Sequence, residues 1–281
     1  MKNVKRIASL LLALILVLSL AACGNGSKKA TLKIAVPNDS TNEARALVLL
    51  QVQGVLKLKD TGDALATKSD IAENPYNVEI VEAEAARVPN VLKDVDYAVI
   101  NSNYAIEAGL TPFVTEGTDV SYPNVVCVKE GNESTDKTKA LLAAINSQKV
   151  QDFILANYKG AIVCDLTNPG TGYDDSVDYE ALRGTTISIG ASPVPHADIL
   201  GVAKEILAER GITLDIKEFT DYVLPNTALE DGEIDANYFA HIPYQQNFNE
   251  ENGTHIVWVL EVHHEPMGVY SDKFSDWSGL K

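Results

Sequence analysis

Basic residues are scarce: 23 Lys and Arg stand against 39 Asp and Glu, giving a net charge of -16. Such a balance argues against nucleic acid, whose phosphates are gripped by Lys and Arg clusters, and against direct adhesion to an anionic bilayer. Cysteine is scarcer still, with three in 281 residues and no Cys-x-x-Cys or Cys/His ligand spacing, so nothing in the cysteines suggests a metal. G-x-S-x-G, H-E-x-x-H, P-loop and dinucleotide fingerprints are missing as well, which leaves enzyme readings and cofactors without residues to carry them. A hydrophobic fraction of 46% excludes disorder.

Only one long apolar run occurs, Ile7–Leu20, and it is too short to cross a hydrocarbon core. Lys2, Lys5 and Arg6 precede it and Ala21-Ala22-Cys23-Gly24 follow, the layout of a secretory signal peptide over residues 1–22. Cys23 after small residues matches a bacterial lipobox, in which the thiol is acylated and becomes the new N-terminus; the bland alternative is an ordinary signal peptide with an incidental cysteine. Residues 23–30, with Gly24-Asn25-Gly26-Ser27, suit a flexible tether to a membrane anchor. The expected location is the extracytoplasmic face of the cell membrane, held by lipid. Cys127 and Cys164 each lie in an apolar run and fit either a disulfide or two buried thiols.

Beyond the tether, short β-branched runs alternate with amphipathic ones, the sign of α/β layering. Strands are expected at Leu32–Val36, Val78–Val81, Tyr97–Asn101, Val125–Val128, Ala161–Val163, Thr186–Ile189, Leu214–Glu218, Ile234–Asn237 and His255–Val259. Helices are expected over Thr41–Leu58, opened by a Ser40/Glu43 capping box, and over Glu82–Leu92, Asp136–Asn146, Val150–Tyr158, Pro195–Arg210, Asn226–Asp231 and Pro243–Asn252. Residues 166–184 have linker chemistry. The pattern predicts two open α/β units, and such sheets bind ligands at the carboxyl ends of their strands.

Those ends carry polar and aromatic groups. Arg45 falls near the first turn of a helix, where a cation gains nothing from the helix dipole unless a bound carboxylate sits there too; a solvated Arg paired with Glu43 is the alternative. Asn101 can both accept from an ammonium and donate to a carboxylate, or simply form a turn. Tyr222 and Asn226 follow one strand, and Phe239, His241 and Tyr244 end another; they make either an apolar side-chain pocket, hospitable to a thioether, or a core cluster. In His263-His264-Glu265 the adjacent imidazoles point to opposite faces of a strand and cannot share a ligand without a bulge, so no metal site is expected.

Six segments together, Ile34–Ala46, Val99–Ala105, Ile189–His196, Glu218–Asn226, Asp235–Tyr244 and Val262–Ser271, resemble the methionine-binding lipoproteins of ABC importers, the NlpA type. Their order differs from the family's: the part beginning near Thr185 should come first. The chain is therefore similar to a circular permutant. The resemblance implies a two-lobed, type II periplasmic-binding-protein clamshell. Residues 31–105 would equal the family's second lobe, 106–119 a hinge crossing and 120–165 a return segment packing on the other lobe. Residues 166–184 would join the old termini, 185–268 would equal the first lobe, and 269–281 a truncated crossover, leaving 106–119 as the only covalent hinge and weakening affinity. By the same resemblance Arg45 would hold the ligand carboxylate and Asn101 the polar end of the zwitterion. Tyr222, Phe239, His241 and Tyr244 would wall the side-chain pocket, with Asn226 and Glu265 as further contacts and Glu265 meeting the ammonium. The implied function is capture of L-methionine for an ABC permease and its ATPase, without chemistry. D-methionine, a methionine dipeptide or another apolar amino acid is the alternative guest, and an adhesin or structural lipoprotein with a non-functional pocket is the alternative of another class.

Overall fold

The computed structural model describes residues 31–62, 65–117 and 122–281; Cys23 and the segments read as signal peptide and tether lie outside them. The strands are β1 (Lys33–Pro37), β2 (Lys57–Leu58), β3 (Ile71–Glu73), β4 (Glu79–Ala83), β5 (Tyr97–Ile100), β6 (Val114–Thr115) and β7 (Pro123–Lys129). They continue with β8 (Val163–Cys164), β9 (Thr186–Ala191), β10 (Thr213–Glu218), β11 (Ala236–His241), β12 (Ile256–His264) and β13 (Gly268–Tyr270). The main helices are α1 (Ser40–Val52), α2 (Ser102–Glu107), α3 (Asp136–Ile145), α4 (Gln148–Asn157), α5 (Asp198–Ala208), α6 (Leu224–Glu230) and α7 (Ile242–Asn252). No helix among the described residues is long and apolar enough to cross a membrane.

Two open sheets define two lobes. The first has the order β4-β1-β5-β13-β6, parallel across β4, β1 and β5 and antiparallel at β13. The second has the order β10-β9-β11-β7-β12-β8, parallel across β10, β9 and β11 and antiparallel beyond. Central strands read as continuous apolar runs because both faces are covered. In β1 and β5, Ile34, Val36, Tyr97 and Val99 pack to one side, while Ala35, Ala98 and Ile100 pack to the other. The same alternation in β7 sends Val126 and Val128 to one core and Val125 and Cys127 to the other. Cys164 packs with the Val126 side, so the two cysteines lie on opposite faces of the sheet and both are free thiols.

Local chemistry corrects several boundaries. Asp39, not Ser40, caps α1, its carboxylate accepting from Asn42 N at 3.0 Å, while Glu43 accepts from Lys68 N at 2.8 Å instead of closing a capping box. The helix stops at Val52 rather than Leu58 because Gly54 takes a left-handed φ of 72°. No helix spans Glu82–Leu92. β4 runs on to Ala83, and three short helical turns follow at Ala85–Arg87, Val88–Val91 and Leu92–Asp94, because Pro89 cannot sit inside one continuous helix.

The larger correction concerns the hinge. The chain leaves the first lobe between Thr115 and Pro123 and returns between His264 and Gly268, so residues 265–267 are a second covalent crossing. Residues 106–115 still belong to the first lobe, through α2 and β6, and β13 is a strand of the first sheet rather than part of a truncated crossover. The crossings run side by side: Phe113 N donates to Val269 O at 3.0 Å and Glu116 N to Met267 O at 2.9 Å. An expectation of weakened binding from a single hinge strand therefore loses its basis.

Residues 271–281 dock on the first lobe. Tyr97 lies 5.3 Å from Phe274 and 4.9 Å from Trp277 between ring centroids, and Phe113 meets Trp277 edge-on at 5.2 Å. The Tyr97 hydroxyl donates to Asp276 O at 3.1 Å and accepts from Gly279 N at 3.0 Å. Because Trp277 is half-buried, Trp277→Ala should cost about 2–3 kcal/mol. Urea unfolding of the purified full-length protein checks this, and a loss below about 0.5 kcal/mol would show that the segment is not part of the first lobe's core.

Candidate functional site

The carboxyl ends of the parallel strands in both sheets meet at a cleft between the lobes. It holds about 330 Å³ of empty space, part of it open to solvent. From the first lobe, Asn42 and Arg45 on α1 and Asn101, Ser102 and Asn103 at the start of α2 line it. From the second come Tyr222, Phe239, Ala240, His241 and Tyr244, with Asn124 at the start of β7 and Glu265 in the second crossing. Seven of the eight residues singled out in the sequence are thus brought together. Asn226 is not among the lining residues; it is fully buried behind it, its Oδ1 accepting from Asn237 Nδ2 at 2.8 Å.

Arg45 is more deeply engaged than a carboxylate clamp would need. It is 5% exposed, and its partner is Glu116 of the first crossing, not Glu43. Arg45 Nε lies 2.9 Å and 3.0 Å from the two Glu116 oxygens, and Nη2 donates at 2.6 Å to Oε2 and at 2.6 Å to Glu265 O. Tyr122 stacks on the guanidinium at 4.1 Å. Among the described residues these bonds use Nε and Nη2, and none uses Nη1.

A second network fixes the polar floor. Asn42 Nδ2 donates to Asp39 Oδ1 at 2.8 Å, and Asn42 Oδ1 accepts from Asn101 Nδ2 at 2.8 Å and from His241 Nε2 at 3.1 Å. Tyr244 N donates to His241 Nδ1 at 3.1 Å, so the ring proton sits on Nε2 and the imidazole is neutral. Burial, reinforced by nearby Arg45, holds the His241 pKa well below its usual value. Asn101 Oδ1 is buried with no protein partner. Asn42 therefore ties the first lobe to the second, and Tyr222 does the same by donating to Asn103 Oδ1 at 2.6 Å.

The apolar side is an aromatic box. Tyr222 lies 5.8 Å from Phe239 and 5.6 Å from Tyr244 between centroids, and Tyr244 OH donates to Tyr222 O at 2.8 Å. Below the cleft, Glu265 Oε1 is 2.9 Å from His263 Nε2 and 3.7 Å from His196 Nε2. Burial raises the Glu265 pKa, against the pull of His196 and Arg45, and pushes His196 and His263 each down to about 3. His264 faces away, to Asp165 at 2.9 Å, as strand alternation requires.

Asn42, Asn103, Asn124, Glu116 and His196 were not singled out in the sequence. Asn42, Asn103 and His196 lie inside the segments that carry the resemblance, but an Asn or His beside a turn has no signature of its own. Glu116 stands at the crossing, where no periodic element marks it, and Asn124 is the second residue of the otherwise apolar β7.

Arg45→Met and Glu116→Gln each strand a buried charge and should cost about 3–5 kcal/mol. The double variant should cost clearly less than the two together, and strict additivity in urea unfolding would contradict a buried coupled pair. A second outcome follows from His241, which folding holds neutral. The unfolded chain takes up its proton below about pH 6.5 and the folded chain does not, so stability falls as pH drops through that value. His241→Asn should lessen the fall between pH 6.5 and 5 by up to about 1.4 kcal/mol per pH unit, and unchanged slopes would contradict a buried neutral His241.

The chain is similar to several known proteins. "Membrane lipoprotein TpN32" of Treponema pallidum is 42% identical over 134 residues, 46% of this chain and 50% of that protein. "D-methionine-binding lipoprotein MetQ" of Salmonella typhi is 40% identical over 137 residues, 47% of this chain and 51% of that protein. The chain thus spans about half the length of the curated relatives it matches. A solved nutrient-binding protein from Burkholderia cenocepacia, bound to methionine, is 56% identical over 29% of this chain and 36% of its own, with a TM-score of 0.27. The NlpA lipoprotein family model matches residues 28–165 and 187–281, and the chain belongs to that family.

Proposed function

We propose that this protein is a lipid-anchored substrate-binding protein on the extracytoplasmic face of the membrane. In this reading it captures L-methionine in the cleft and delivers it to an ABC permease and its ATPase. The observation that carries it is a buried acceptor without a partner, Asn101 Oδ1, at the end of the pocket where the Arg45 guanidinium and the Glu265 carboxylate stand. A donor, an acceptor and an anion together complement an amino-acid zwitterion, and a buried acceptor without a partner calls for one. Tyr222, Phe239 and Tyr244 supply ring edges for an apolar side chain, and a thioether suits them. A relative's name, D-methionine-binding lipoprotein, supports methionine as the guest and names the other enantiomer. Nothing in the constellation offers a nucleophile beside a base, so binding rather than chemistry is the reading.

The order of segments is part of the proposal. The family match breaks between residues 165 and 187, within the stretch read as a linker joining old termini. A permuted chain would also align with a relative over only one half at a time, in keeping with alignments covering about half of each partner. Permutation is tolerated where old termini lie close together on the surface.

Titration calorimetry of the purified full-length protein, refolded to strip any guest, should show tight binding of L-methionine. Arg45→Lys should weaken it at least tenfold, about 1.4 kcal/mol, because an ammonium cannot serve Glu116, the Glu265 carbonyl and a ligand carboxylate together. Equal affinity for D-methionine would remove the stereochemical part of the reading, and no binding of either by folded protein would remove the rest.

A further inference from the structure

Beneath the cleft, His196, His263 and Glu265 form a cluster that amino-acid binding does not use in full. Among the described residues it is the one group of three His, Cys, Asp or Glu side chains whose ligand atoms all converge, within 4.8 Å of one another. We propose that it is a binding site for a divalent transition-metal ion of the zinc type. The proposal shares Glu265 with the methionine reading but needs no amino acid in the cleft, so either can fail without the other.

The geometry suits the donors. Bonds of about 2.0–2.1 Å in a tetrahedron place ligand atoms roughly 3.4 Å apart. The Glu265 Oε1 separations of 2.9 Å from His263 Nε2 and 3.7 Å from His196 Nε2 bracket that spacing. Two imidazoles and one carboxylate are a donor set for Zn²⁺ and Co²⁺, whereas Mg²⁺ and Ca²⁺ ask for oxygens throughout. All three side chains are at least nine-tenths buried, so their positions are fixed by packing rather than by solvent.

Neighbours complete the site. His263 Nδ1 is hydrogen-bonded to the Tyr238 hydroxyl, the outer partner that orients a metal-bound imidazole. Without metal, Tyr238 donates to Nδ1 and Nε2–H donates to Glu265. With metal, the ring proton sits on Nδ1 and donates to the Tyr238 oxygen, leaving Nε2 to bind. His196 Nε2, now 3.1 Å from Asn124 Oδ1, is freed by the same change of tautomer. Neither imidazole changes charge, and the metal's charge meets the Glu265 carboxylate. Asn124 and Glu265 also line the cleft, so a fourth coordination position opens towards it, available to water or to a guest's amino group.

His263 and Glu265 stand two apart on one face, and His196 reaches them from the turn after β9. Strand alternation rightly separates His263 from His264, and that argument hid the triad, because the third ligand comes from another part of the chain.

The test is Co²⁺ titration of the full-length protein after chelator treatment and dialysis, with no amino acid present. One equivalent should bind with the strong visible absorption of a four-coordinate site, and Zn²⁺ should displace it and bleach the colour. His196→Gln and Glu265→Gln, each shown to be folded by circular dichroism, should each weaken binding about a hundredfold. No uptake by the folded parent, only the weak absorption of six-coordinate Co²⁺, or equal uptake in both variants would each overturn the site.

Discussion

Glu116 is a single carboxylate placed where the two crossings between the lobes run side by side, and the organisation of the cleft depends on it. Its oxygens take Arg45 from α1 and Met267 N, at 2.7 Å, from the opposite crossing, while its own backbone N–H reaches Met267 O. One side chain thereby fixes the spacing of the hinge strands, the orientation of α1 and the direction of the guanidinium. Burying an ion pair so completely is a poor route to stability, since desolvation offsets most of the attraction. What it gives here is register: any shift of one crossing along the other would leave a buried charge without its partner.

That anchoring explains how a cleft can be built from residues so far apart in the chain. Arg45 donates to the backbone of Glu265, which places the first lobe's guanidinium beside the second crossing's carboxylate without pairing the two side chains. Opposite charges held close but not paired with each other, since Arg45 is spent on Glu116, match the two ends of a zwitterion. The Asn42 amide adds a second tie, holding Asn101 and His241 at once, while Tyr244 N, donating to Nδ1, requires the imidazole to be neutral.

Much of this organisation is legible in the order of amino acids alone. The apolar runs of β1, β5, β7 and β9 announce central strands, and the ends of parallel strands announce where a ligand would sit. The aromatic box is visible because its rings follow two such ends. Hidden from a linear reading is anything whose meaning comes from a partner distant in the chain. Arg45 is recognisable as unusual but not as the partner of Glu116, and Asn226 looks like a lining residue until Asn237 takes its carbonyl. The crossing at 265–267 has no signature because three residues between two strands have no period, and β13 is itself only three residues long. The helix expected over Glu82–Leu92 is broken into short turns from Ala85 onward for a local reason, Pro89, which cannot sit in a helix interior.

The division of labour between the lobes gives closure its role in the proposed binding. The first lobe supplies Arg45 and Asn101, groups suited to the polar end of an amino acid, and the second supplies Tyr222, Phe239 and Tyr244, suited to its side chain. Neither half alone can read both ends of such a guest, so recognition requires the lobes to meet. The contacts that join them, Tyr222 to Asn103 and His241 to Asn42, are made by the same side chains that line the pocket. A guest that distorted the aromatic box would break a bond of closure, and one that displaced Asn42 would break another. Closing the cleft and recognising the guest therefore draw on the same few hydrogen bonds, with the hinge held in register by Glu116.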